Sequence, residues 1–312
     1  MTQNDIKIPL ILEIKGNSLD DGPGIRSVVF YKGCPLSCVW CHNPESKKAA
    51  AEISFDPKVC IDCGTCREIC PKKALSQDNR FYIDRNKCDL CFLCVDACPS
   101  GALDRVGKTM SVETIVKKIM PDKPFFDTSG GGVTLSGGEP TLFMDFTSQL
   151  LKLLKQKNIH TLLETCGYFD VNKFMDKLYP YLDTIYFDIK IMDSTAHKKY
   201  CGTSNEKILD NFIQLSRAAK QDGKTLLART PLIPDITDNE SNIKGIASFL
   251  KSLNITEAAL LDYNPLWHEK SDKVGVDDPY RDSKVMTSFR DNNVIERCRS
   301  IFMNAGITET KN

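Results

Sequence analysis

The sequence predicts an α/β fold: a partial (β/α)6 barrel interrupted by a small cysteine-rich α+β insert. Three observations carry this. Strand-like and helix-like stretches alternate over some 200 residues after Met110, the pattern of a parallel sheet covered by helices. The loops with unusual chemistry all follow strands, at the end where barrel enzymes place their sites. Eleven of the 14 cysteines fall between Cys34 and Cys98, so a segment of different character breaks the alternation. The expected divisions are 1–55 for the start of the barrel, 56–104 for the insert and 105–312 for the rest.

Bulk properties narrow the function classes. Lys+Arg and Asp+Glu both number 41 in a chain of 312 residues. A net charge of zero gives no reason to expect nucleic acid or an anionic membrane as partner. No apolar run approaches the roughly 20 residues that a membrane helix needs. Met1–Asp5 lacks the charged and apolar regions of a signal peptide. A cytoplasmic protein is expected. In a reducing compartment, clustered cysteines are metal ligands or catalytic groups rather than disulfides.

In chain order, Ile8–Ile14 reads as an opening strand and Asn17–Arg26 as a turn-rich loop. Ser27–Tyr31 is an apolar, buried strand. Behind it comes Cys34-x3-Cys38-x2-Cys41. Three thiolates are one short of the four that a four-iron, four-sulfur cluster takes from protein, which leaves one iron open for a small molecule. Zinc is the alternative, but it favours C-x2-C pairs with a fourth ligand.

The insert holds two matching units. They are Cys60-x2-Cys63-x2-Cys66-x3-Cys70-Pro71 and Cys88-x2-Cys91-x2-Cys94-x3-Cys98-Pro99. Each is the bacterial ferredoxin run, in which the fourth cysteine ligates the other cluster. One cluster is therefore assigned to Cys60, Cys63, Cys66 and Cys98, the other to Cys88, Cys91, Cys94 and Cys70. So short a segment buries little core, and clusters would hold it together.

After Met110, Ser111 caps a short helix. Val133–Leu135 is a strand that ends in Ser136-Gly137-Gly138-Glu139-Pro140. Helices are expected at Phe143–Lys157, Val171–Tyr179, Glu206–Asp222, Glu240–Leu253 and Asp291–Asn304. Strands are expected at Ile159–Glu164, Thr184–Asp188, Thr225–Arg229 and Glu257–Asp262. The two glycines allow backbone to approach a ligand, and the following carboxylate suits an ammonium group. Cys166, Cys201 and Cys298 read as ordinary small residues. His160 reads as a packed strand residue, His197 as solvent-facing, and Trp267 with His268 as a local plug.

Taken together, the cysteine triplet and the later Gly-Gly-Glu loop make the chain resemble the radical S-adenosylmethionine enzymes. More narrowly it resembles the activating enzymes of glycyl radical enzymes, in the subset with a double-cluster ferredoxin-like insert. Asp21-Gly22-Pro23-Gly24-Ile25-Arg26, Cys41-His42-Asn43-Pro44, Ser129-Gly130-Gly131-Gly132-Val133-Thr134 and Asp188-Ile189-Lys190 carry the likeness, over roughly residues 8–265. The resemblance implies S-adenosylmethionine as cofactor and three 4Fe-4S clusters. Cys34, Cys38 and Cys41 would hold the cluster that cleaves it, with Trp40 and His42 touching the cofactor. Gly137, Gly138 and Glu139 would receive its ammonium. Asp188, Ile189 and Lys190 would line its other side, with Arg229 at a strand end. Glu164, Thr165 and Asp188 would bind a monovalent cation. Where the family has a histidine by the adenine, this chain has Asn264, and the stretch from Pro265 to Arg290 departs from the family pattern as a candidate partner-facing region. The implied reaction is reductive cleavage of S-adenosylmethionine, whose 5′-deoxyadenosyl radical takes a Cα hydrogen from a glycine of a large partner enzyme. A flavodoxin or ferredoxin would supply electrons to a monomeric activase. Two other functions compete: a radical enzyme acting on a small molecule or peptide, and a ferredoxin-like electron carrier. A carrier needs neither the triplet nor the Gly-Gly-Glu loop.

Overall fold

The computed structural model describes residues 7–310, so the reading of Met1–Asp5 lies outside the described residues. Along the chain, β1 (Leu10–Ser18) and β2 (Arg26–Lys32) lead into the insert. The insert contains β3 (Glu52–Phe55), α1 (Thr65–Ile69), α2 (Leu93–Asp96) and β4 (Leu103–Val106). Next come β5 (Lys108–Thr109), α3 (Val112–Ile119), α4 (Lys123–Ser129) and β6 (Gly132–Gly137). Alternation follows with α5 (Met144–Gln156), β7 (His160–Thr165), α6 (Val171–Lys177), β8 (Thr184–Asp188), α7 (Ser194–Cys201), α8 (Glu206–Asp222), β9 (Thr225–Pro231), α9 (Glu240–Ser252) and β10 (Glu257–Leu261). The chain closes with α10 (Trp267–Lys273), α11 (Asn292–Asn304) and β11 (Thr308–Glu309).

The main sheet runs β11-β10-β9-β8-β7-β6-β2-β1-β5. From β2 to β11 every neighbouring pair is parallel, while β1 pairs antiparallel with β2 and β5. Seven parallel strands, the last of only two residues, with helices between them are the expected α/β architecture. The sheet curls, because residues after β2 and residues after β10 line one cavity. The core between sheet and helices is built from Val29, Leu135, Leu163, Ile185, Leu150, Phe174, Phe187 and Phe212, all within 1% of full burial. Helices begin where the sequence offers an oxygen: Ser111, Asp170, Asp193, Asn239 and Asp291 each accept a backbone N–H at a helix start.

The two glycine-rich stretches pack on each other, which explains their composition. A Cβ on Gly131 would lie 1.8 Å from the Ile25 carbonyl oxygen, and one on Gly24 (φ +68°) would lie 2.4 Å from the Gly131 nitrogen. Arg26 is fully buried; its Nε donates to Thr134 Oγ1 at 2.7 Å and its Nη2 to the Val133 carbonyl at 2.9 Å. The Asp21–Arg26 loop is thereby fastened to the start of β6.

The insert joins the barrel through a two-stranded neck in which Glu52–Phe55 pairs with Leu103–Val106. Residue 56, the expected start of the insert, follows the last residue of β3, and residue 104, its expected end, lies within β4. Lys32, at the end of β2, is fully buried, and its Nζ donates to Glu52 Oε2 at 2.7 Å and to the Glu45 carbonyl at 2.6 Å. Further pairs link the insert to α10 and the segment after it: Lys58–Glu269 at 2.8 Å, Lys273–Asp56 at 2.6 Å and Arg80–Asp277 at 3.1 Å. Exposed pairs of this kind contribute little each, whereas the Lys32–Glu52 pair is buried. Glu52→Gln should therefore cost about 3–5 kcal/mol by leaving a buried ammonium without its carboxylate, seen as a lower thermal unfolding midpoint. The double change Lys32→Met with Glu52→Leu should recover much of that loss.

Candidate active site

The strand-end loops converge on one cavity of about 780 Å³. Its walls include Cys34, Cys38, Cys41, Trp40 and His42 from the loop after β2, and Gly137 and Gly138 after β6. Glu164 and Thr165 come from β7 with Cys166 just after it, Asp188 from β8 with Lys190 just after it, Arg229 from β9, and Asn264 from beyond β10. Asp20 and Asp21 also reach it. So most of the residues singled out in the sequence meet in one place, although they span more than 200 positions.

The cysteine loop is held from three sides. Gly33 N donates to the Ser46 carbonyl at 2.6 Å and Cys34 N to the Lys47 carbonyl at 3.1 Å, which closes the loop on itself. Ser37 N and Val39 N donate to the carbonyls of Cys201 and Tyr200, at 2.9 and 3.0 Å, pinning it to the end of α7. Lys270 Nζ reaches the His42 carbonyl at 3.1 Å and Asn43 Oδ1 at 3.2 Å. The Cys201 thiol draws the Cys38 thiol down to about 7 against its burial, with help from Lys190. Burial pushes the Cys41 thiol up to about 12. Burial holds His42 below the usual histidine range, so its ring is neutral at pH 7.

Beside the thiols lies a charge network. Arg229 Nη1 meets Glu164 Oε1 at 2.5 Å, while its Nε and Nη2 meet Asp188 Oδ1 at 3.1 and 3.0 Å. Lys190 Nζ meets Asp188 Oδ2 at 2.8 Å, and Ser136 Oγ donates to Glu164 Oε2 at 2.5 Å. Burial pushes the Asp188 carboxyl up, but Lys190 and Arg229 outweigh it and hold it below the usual range. Glu164 and Asp188 are thus already bridged by a guanidinium, where the resemblance implied a monovalent cation.

Two expected site residues, Glu139 and Ile189, are not on the cavity wall. Glu139 is fully buried and is absent from the cavity wall. Its carboxylate accepts from Thr141 N at 3.2 Å and Thr141 Oγ1 at 2.8 Å, from Thr165 Oγ1 at 3.0 Å, and from Cys166 N at 2.7 Å. Ile189 turns its side chain into the core, 2% exposed, and its N–H donates to the Arg229 carbonyl at 2.8 Å. Asn264 reaches the cavity, but its Oδ1 accepts from Leu266 N at 3.0 Å in a local turn.

The expectation for His197 changes. His197 is 2% exposed rather than solvent-facing, its Nδ1 lying 2.6 Å from the Thr203 carbonyl. It shares the inward face of α7 with Cys201, four residues on. Cys166 and Cys201 are not isolated: they pack in one apolar cluster with Cys38, Leu36 and Trp40. The position of Cys166 directly after a strand end, in Glu164-Thr165-Cys166-Gly167, was a usable signal; nothing local marked Cys201. The plug reading holds, since Trp267 is 2% exposed with its Nε1 donating to Tyr263 Oη at 2.7 Å.

In the insert, one small cavity is lined by Cys60, Cys63, Cys66 and Cys98, and another by Cys70, Cys88, Cys91 and Cys94. These are the two interlocked quartets read from the sequence. Among the described residues no cysteine is in a disulfide.

Since Glu139 faces backbone rather than ligand, Glu139→Gln should lower the thermal midpoint of the protein even without ligand. An amide cannot accept all these bonds, and a buried donor left unpaired costs about 1–3 kcal/mol.

Comparison with known proteins agrees with this geometry. Residues 28–244 match the Radical SAM superfamily. The chain is 40% identical over 267 residues to the isethionate sulfite-lyase activating enzyme of Nitratidesulfovibrio vulgaris, covering 84% of this chain and 86% of that one. It is also 40% identical over 270 residues to the trans-4-hydroxy-L-proline dehydratase activating enzyme of Clostridioides difficile, covering 85% and 88%. Among solved structures, a radical SAM methyltransferase from Sphaerobacter thermophilus aligns with a TM-score of 0.54 at 14% identity, over 97% of this chain and 76% of that one; the likeness there is of fold. The cysteine loop, the curled parallel sheet and these matches lead to one conclusion: the chain belongs to the radical SAM superfamily.

Proposed function

We propose that this protein activates a glycyl radical enzyme, using S-adenosylmethionine to remove a Cα hydrogen from one glycine of that partner. The observation that carries this reading is the convergence of Cys34, Cys38 and Cys41 with the strand-end loops on one large cavity. Relatives of equal identity that are named as activating enzymes support it. They serve different partners, so the partner here is assigned only as a large glycyl radical enzyme.

The residues fit the groups the family needs. Three thiols on one wall would ligate a 4Fe-4S cluster and leave one iron for the amino and carboxylate groups of S-adenosylmethionine. When bound, that pair supplies the hydrogen-abstracting radical chemistry. The chain itself supplies binding and exclusion of water. The backbone at Gly137 and Gly138 offers carbonyl oxygens to the ammonium, and Glu139 braces that loop from behind. Lys190 and Arg229, each tied to a carboxylate, are donors for the cofactor's oxygens. Trp40 and His42 form an apolar, uncharged flank for the adenosyl part.

The insert is read as a ferredoxin-like domain with two further 4Fe-4S clusters, one in each cysteine quartet, fed by a flavodoxin or ferredoxin. These clusters relay electrons inward or shape docking. Anaerobically reconstituted protein should then bind about twelve irons. Changing Cys34, Cys38 and Cys41 together to Ala should keep about two thirds of that iron. The same change should abolish both S-adenosylmethionine cleavage and any glycine-centred radical on a partner. Cleavage that survives it would refute the assignment.

A further inference from the structure

Cys166 and Cys201 have no task in the reaction as described, yet the fold brings each to a triplet cysteine. Cys166 is 8% exposed and shares the cavity wall with Cys34. Cys201 is fully buried at the last position of α7. The bonds from Ser37 N to the Cys201 carbonyl and from Val39 N to the Tyr200 carbonyl bracket Cys38 between them. Gly202, at φ +89°, allows this approach, since a Cβ there would lie 2.2 Å from Ser37 Oγ. Cys38, Cys166 and Cys201 are buried in one apolar cluster, and Cys34 packs against it. A thiol outside the ligand set is ordinarily protonated at neutral pH, and so able to donate.

Building on the radical SAM reading of the triplet, we propose that Cys166 and Cys201 are positioning residues that donate S–H hydrogen bonds to the ligating sulfurs of Cys34 and Cys38 and thereby raise the reduction potential of the catalytic cluster. The reason is electrostatic. Taking up one electron adds negative charge that spreads onto the ligating sulfurs. A donor aimed at those sulfurs stabilises the reduced form more than the oxidised one. A thiol is a weak donor in water, but the surrounding Leu36, Trp40, Ile191 and Ile233 are apolar and buried, and low polarity strengthens such a bond. Cys298, by contrast, donates to the Asp238 carbonyl far from the triplet and serves as an internal control.

The test is a potentiometric titration of the anaerobically reconstituted full chain, read by electron paramagnetic resonance with and without S-adenosylmethionine. The signal that S-adenosylmethionine alters belongs to the triplet. Cys166→Ala and Cys201→Ala should each need a lower potential for half reduction, and Cys298→Ala should titrate with the parent. Cys166→Ser and Cys201→Ser keep a donor of nearly the same volume and should titrate above the corresponding Ala variants, close to the parent. These Ser variants carry the comparison if an Ala variant loads iron poorly. Ala variants that titrate with the parent, or Ser variants that fall as far as Ala, overturn the donor role. A parent with no S-adenosylmethionine-sensitive signal overturns the assignment beneath it, and this inference with it.

Discussion

The buried carboxylate of Glu139 is the contact on which the site depends. A charge with no exposure is costly unless hydrogen bonds surround it, and here donors from Thr141, Thr165 and Cys166 do so. Those donors tie the loop after β6 to the end of β7. On its other side the same loop meets the cysteine loop: Glu139 N donates to the Gly33 carbonyl at 2.7 Å, and a Cβ on Gly138 would sit 2.2 Å from that oxygen. The Gly-Gly-Glu sequence therefore serves backbone packing as much as ligand binding. Gly138 lets two loops touch, and Glu139 locks them where Cys34, Gly137, Thr165 and Asp188 line one cavity.

Around that joint the protein places charges so that each is answered before any ligand arrives. Arg229 takes two carboxylates, and Lys190 takes the second oxygen of Asp188. Such a network is rigid because breaking any member leaves a buried charge unpaired. A zwitterionic cofactor would enter a wall of fixed dipoles rather than one that must rearrange. The insert is fixed by a comparable device: Lys32, adjacent to the cysteine loop, reaches Glu52 in the neck, and Gly107 at the exit of the neck packs on the stem of Lys32. The position of the cysteine quartets is thereby linked to the strand that presents Cys34.

Much of the architecture was legible in the sequence because periodicity and cap residues agree with it. Thr184–Asp188 and Glu206–Asp222 occur as read, and Ser111 caps as read. The grouping of the cysteines into two quartets was legible because their spacing is that of the ferredoxin run, and each quartet lines one cavity. What escaped detection had physical reasons. α7 is short and polar, so nothing announced that His197 and Cys201 would turn inward. α10 lies in a stretch with no clear period, and its role emerges only from Lys270 on the cysteine loop and Glu269 and Lys273 on the insert. The direction in which Glu139 points depends on a neighbouring strand, which residue order does not reveal. Ile189 matched a motif, but its side chain alternates to the core face of β8 and beyond.

In the proposed function, a radical formed in the cavity takes its hydrogen from a glycine on another protein. The most direct measurement uses a candidate glycyl radical enzyme prepared with Cα-deuterated glycine, mixed with the reduced, reconstituted protein and S-adenosylmethionine. The expected product is 5′-deoxyadenosine carrying one deuterium, formed in step with a glycine-centred radical on the partner. Unlabelled 5′-deoxyadenosine, appearing at the same rate with or without every candidate partner, would contradict it.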